Sequence, residues 1–128
     1  MTESEKITIN MGAVDLGKVD LLVREGVYSN RTDFIRTAIR NQIDKHSVEV
    51  QQSLSRYAFL IGVLRYDRKI LEKYKAKGKR IDLTVLGSLT LASDVTPELA
   101  AATIKRVKVR GLFEASDEVK AALADRMH

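Results

Sequence analysis

The sequence predicts an α+β chain, mainly helical, in which a short strand and two helices lead into a long central helix and a small C-terminal β-α-β-α unit. Three observations carry this. Apolar and polar residues alternate strictly over residues 6–11, apolar stripes at helical spacing run from Ala13 to Leu71, and two similar strand-then-helix stretches follow residue 80. At 128 residues, 45% hydrophobic and 30% charged with one proline, the composition is that of a soluble globular chain of one domain or two small ones.

The first element, Lys6-Ile7-Thr8-Ile9-Asn10-Met11, places Ile7, Ile9 and Met11 on one face of a strand and Lys6, Thr8 and Asn10 on the other. Taken alone this is an ordinary edge strand with a solvated face. Its polar face nevertheless consists of residue types that read base edges: Lys donates to guanine, Asn pairs bidentately with adenine, and Thr hydrogen-bonds or touches a thymine methyl. Val14, Leu16, Val19, Leu22 and Val23 then recur at helical spacing, giving a first helix from Ala13 to Glu25. Gly26 sits where a helix ends in a left-handed residue. Ser29 or Asn30 can cap a second helix, with Asp33 three residues after Asn30 as in a capping box. Phe34, Ile35, Ala38, Ile39 and Ile43 form the buried stripe of that helix.

The run from Tyr28 through Ser29-Asn30-Arg31-Thr32-Asp33-Phe34-Ile35-Arg36 to Ile39, preceded by Glu25-Gly26 and the alternating strand, resembles the ribbon-helix-helix family of CopG-like and Arc-like bacterial regulators. The resemblance covers about Glu5 to Ile43. One position departs from the pattern: family members commonly carry Leu-Pro after the ribbon, whereas this chain has Met11-Gly12, which gives up proline's fixed φ at the start of the first helix. The resemblance implies a homodimer whose strands pair into an antiparallel ribbon that reads the major groove of double-stranded DNA. On that reading Lys6, Thr8 and Asn10 face base edges. Ser29, Asn30 and Arg31, at the N-terminus of the second helix, hold phosphate through free amides and the positive end of the helix dipole. Dimerisation is expected to be obligatory, because a lone strand leaves its backbone groups unpaired and about a dozen apolar residues make too small a core.

Charge is distributed against simple expectation. Residues 1–46 carry seven basic and seven acidic residues, residues 47–80 nine and three, and residues 81–128 six and seven, so the net charge of +5 resides outside the reading head. Arg68, Lys69 and Lys73 are candidate accessory phosphate contacts, with a solvated helix face as the plainer alternative. Ile43, Ser47, Val50, Leu54, Tyr57, Ile61, Leu64, Arg68 and Leu71 follow a 4, 3 spacing that predicts a long helix across 47–80, bracing the dimer or joining dimers into a tetramer.

In the last third, Leu83-Thr-Val-Leu-Gly-Ser-Leu-Thr-Leu-Ala-Ser-Asp recurs as Val107-Lys-Val-Arg-Gly-Leu-Phe-Glu-Ala-Ser-Asp, one residue shorter. Each copy precedes a helix: Pro97 to about Ile104 with Thr96 as cap, and Asp117 to about Met127. The pattern suggests a two-copy solenoid-like stack completed by another element or a partner chain, or alternatively a compact β-α-β-α domain. The chain thus divides into 1–46 for DNA binding and dimerisation, 47–80 as the basic amphipathic helix, and 81–128 as an oligomerisation or effector domain.

With no cysteine and only His46 and His128, neither thiolate chemistry nor a metal site is expected, and no nucleophile motif or phosphate-binding glycine loop appears. No cofactor and no enzymatic activity are expected. The polar, acidic N-terminus is unlike a signal peptide, and the longest apolar run is far short of the ~20 residues that span a membrane, which points to a cytoplasmic, nucleoid-associated protein. The expected function is sequence-specific transcriptional regulation, as a repressor. Two alternatives stand beside it: an antitoxin that autoregulates its operon and holds a toxin partner, and a scaffolding protein that uses the ribbon only to dimerise.

Overall fold

The computed structural model describes residues 4–57 and 59–127 and resolves into two compact units, Lys6–Leu54 in one, and Ser4, Glu5 and the chain from Ser55 onward in the other. The division falls within a helix rather than at residues 46 and 80. The first unit contains α1 (Ala13–Arg24), α2 (Arg31–Lys45) and most of α3 (Ser47–Tyr57). Residues 4–12 have no regular secondary structure in the single chain. A strand is defined by its backbone partners, and one copy of the chain supplies none here.

The second unit carries β1 (Leu60–Tyr66), α4 (Arg68–Ala76), β2 (Ile81–Leu91), α5 (Pro97–Thr103), β3 (Ile104–Glu114) and α6 (Asp117–Ala122), followed by a 3₁₀ turn at Ala124–Arg126. The expected long helix across 47–80 does not form: helix, strand and helix occupy its place. The apolar run from Phe59 to Leu64 is short and rich in branched residues and contains Gly62, the signature of a strand that a 4, 3 count also happens to satisfy. Leu64 and Tyr66 turn toward the core, two residues apart as in a strand.

The three strands form one parallel sheet in the order β1-β2-β3. Leu83 pairs with Val107 and Gly87 with Gly111, as in the sequence comparison, while β1 adds a third strand in step, Gly62 opposite Gly87. Pairing continues without a gap to Thr90–Glu114, so the one-residue shortening falls after the strand. A parallel arrangement requires each connection to cross back, and α4 and α5 make those crossings. Leu71 of α4, Leu99 and Ala100 of α5, and Val119 of α6 close over Leu83, Val85, Leu89, Leu91 and Val107 as one core. Side-chain caps fix the helix starts: Asp67 accepts from the Ile70 amide at 2.9 Å, Thr96 from Leu99 at 3.2 Å and Ser116 from Val119 at 3.2 Å. The Arg126 guanidinium donates to the carbonyls of Ala101 and Ile104, which ties the C-terminal turn to the junction of α5 and β3.

Candidate nucleic-acid interface

The candidate interface is built on the turn between α1 and α2. Helix α1 ends as its sequence dictates: Gly26 adopts φ +80°, its amide donates to the Val23 carbonyl at 3.1 Å, and the Val27 amide donates to Leu22 at 3.0 Å. Asn30 is the cap of α2. Its side chain accepts from the Asp33 amide at 2.8 Å, while the Asp33 carboxylate accepts from the Ser29 amide at 3.0 Å, a reciprocal pair that fixes the helix entrance. Tyr28 packs edge-on against Phe34 with ring centroids 5.0 Å apart, which holds the incoming chain against the first turn.

With the Asp33 amide satisfied by Asn30 and the Phe34 amide by the Asn30 carbonyl, the amides of Arg31 and Thr32 remain as the open donors at the positive end of α2. Ser29, Asn30, Thr32, Thr37, Arg36 and Arg40 line a shallow depression of about 360 Å³ beside this end, together with Asp33. Arg36 and Arg40 lie one helical turn apart on the same face. Sequence reading names Ser29, Asn30 and Arg31 but misses Arg40; its i, i+4 relation to Arg36 was the available signal.

Arg31 is placed differently from its two neighbours. Its guanidinium is bound bidentately to Asp20 of α1, Nε to Oδ1 at 2.7 Å and the second nitrogen to Oδ2 at 2.8 Å. This hydrogen-bonded pair lowers the Asp20 pKa and raises that of Arg31. Both side chains are about half exposed, so the pair joins α1 to α2 at the surface.

Lys6, Thr8 and Asn10 are exposed in the single chain, in the irregular segment before α1. The apolar residues between them are exposed as well, Ile7 at 72% and Ile9 at 57%. Arg68, Lys69 and Lys73 lie in the second unit on α4, where Arg68 is engaged with Glu72 at 3.0 Å. Among the described residues no group of three or more His, Asp and Glu side chains is arranged to hold a metal ion, and no helix is long and apolar enough to cross a membrane.

Residues 2–120 match the ribbon-helix-helix transcriptional regulator family. The chain belongs to that family. The match extends well past α1 and α2, so the second unit is part of what family members share. The chain is also similar to an uncharacterized protein of Methanocaldococcus jannaschii, with 28% identity over 79 residues covering 62% of this chain and 71% of that protein. No solved structure matches it.

Proposed function

We propose that this member of the ribbon-helix-helix family is a sequence-specific DNA-binding repressor that works as a homodimer in the cytoplasm, at the nucleoid. The observation that carries the reading is the incompleteness of the first unit: Val19 is its one buried apolar residue, while Ile7, Ile9, Val14, Leu21, Ile39 and Ile43 are exposed among the described residues. Exposed apolar surface on that scale costs about 25 cal/mol per Å² against burial. A second copy removes it, and pairing residues 6–11 of two chains satisfies the backbone groups of both strands at once.

In that dimer the period of two turns Ile7, Ile9 and Met11 inward and leaves Lys6, Thr8 and Asn10 on the opposite face as the base-reading set. Ser29, Asn30 and Thr32, with the open amides at the start of α2, hold the flanking phosphates; Arg36 and Arg40 supply the positive charge. Arg31 acts indirectly, holding α2 to α1 through Asp20. Lys69 and Lys73 are accessory phosphate contacts, with Arg68 partly engaged by Glu72.

The test is binding to duplex DNA from upstream of the protein's own gene, at moderate salt, against random duplex of equal length. The wild-type chain is expected to prefer the upstream sequence, and changing Lys6, Thr8 and Asn10 together to Ala is expected to abolish the preference while leaving the weaker general affinity. No preference in the wild type would refute the regulator reading; a preference that survives the triple change would remove the ribbon as its reader.

A further inference from the structure

The two open edges of the sheet are complementary to one another. Gly62, Gly87 and Gly111 stand side by side across the sheet with φ of +133°, +134° and +131°. At Gly87 a Cβ would overlap the carbonyl oxygen of Gly62, and at Gly111 it would overlap the carbonyl oxygen of Gly87. Each glycine therefore accepts the carbonyl of the strand before it. Among the described residues nothing lies within 4 Å of that position at Gly62, and no strand precedes β1 in the sheet. Gly111 has that same φ at the far edge, where among the described residues no strand follows.

We infer that a second copy of this chain docks there, its β1 laid parallel against β3, so that the glycine column and the sheet continue from one molecule into the next. This inference is independent of DNA binding by the first unit. Extending the observed register places Val109 to Glu114 of one copy opposite Leu60 to Arg65 of the next. Leu112 then faces Val63, Phe113 faces Leu64, Gly111 faces Gly62, and Glu114 meets Arg65 with opposite charge.

Two further features fit. Alongside β3 runs an open cavity of about 430 Å³ lined by Val107, Val109, Phe113, Met127 and the stems of Lys108 and Arg110, beside the row an incoming Leu60 and Leu64 would extend. The helix layer ends in α4 on one side, with four basic residues and one acidic, and in α6 on the other, with two acidic residues and one basic. The β1 edge, where Leu60, Ile61 and Val63 are 47%, 67% and 47% exposed, carries a single charge, Arg65, and no proline, which is little protection for a free edge. Joining unlike edges makes a heterologous contact, which closes into a ring or continues as a filament.

The chain has no cysteine, so engineered ones report cleanly. Val63→Cys and Leu112→Cys cannot bridge within one chain, because β2 separates their strands by roughly 10 Å. Mixing the two single variants in full-length protein under mild oxidation is expected to give the mixed disulfide dimer in excess of either homotypic dimer, and the double variant is expected to give species larger than a dimer. Adding Ile61→Lys, a change at an exposed position whose folding is checked by circular dichroism, is expected to remove the mixed product. A Val63–Val63 disulfide as the main product would mean a two-fold pairing of β1 with itself and would overturn the inference. Absence of any disulfide from the folded variants would also overturn it.

Discussion

Of the fourteen buried apolar residues among the described residues, thirteen lie in the second unit and only Val19 in the first. Yet the first unit is not poor in apolar side chains, with 20 among its 49 residues against 36 among residues 55–128. The difference lies in where the covering surface comes from. In the second unit β1, β2 and β3 are brought together by α4 and α5 of the same chain, and the helices close over one face. In the first unit two helices meet along one side, and Ile7, Ile9 and Met11 of the alternating segment stay exposed. A self-sufficient core thus accompanies a half-core, and the half-core is the part that carries the candidate DNA contacts.

Mutations at matched depths should separate the two. Ile9→Ala, at a site exposed in the single chain, should weaken the dimer by about 3–6 kcal/mol, since both copies lose a buried side chain; sedimentation equilibrium would register it as a raised dissociation constant. Leu89→Ala, at the centre of the sheet, should lower the stability of the second unit by about 2–5 kcal/mol in urea unfolding, by transfer and cavity terms together. If Leu89→Ala dissociated the first unit and Ile9→Ala unfolded the second, the division into self-sufficient and shared cores would be wrong.

Smaller changes sharpen the account of the first unit. Asn30→Ala removes the acceptor for the Asp33 amide and should cost about 1 kcal/mol in thermal unfolding, with a further loss of general DNA affinity because the helix entrance loosens. Smallest is the acid limb. Arg31 holds the Asp20 carboxyl below its ordinary value of 3.8, so the pair's contribution is complete above that pH and is lost as the pH falls through the lower folded-state value. Asp20→Asn should therefore lower stability slightly near neutrality and flatten the profile below about pH 4, a modest effect for a solvent-exposed pair.

Much of this contrast could be read from the sequence. The alternation of 6–11, the stop at Gly26 and the cap at Asn30 are local rules written in a few residues each, and the last two are realised as hydrogen bonds. The likeness of residues 83–94 to 107–117 was legible because both keep a glycine at the same step, while the pairing of Leu83 with Val107 comes from the structure. The strand at Leu60–Tyr66 was not, since its apolar residues fit a helical count as well as an extended one and the 25-residue step from Gly62 to Gly87 went unused. At the interface, Arg31 fits a phosphate site by position, but Asp20, eleven residues earlier, takes its guanidinium; only folding α1 against α2 reveals that pairing.

Amide hydrogen exchange across residues 6–11 tests the half-core most directly. A paired antiparallel ribbon protects alternate amides, those that point at the other strand. The account predicts that alternating protection at high protein concentration and its loss on dilution, while the amides of β2 stay protected throughout. Uniformly fast exchange of residues 6–11 at every concentration, with the protein otherwise folded, would contradict it.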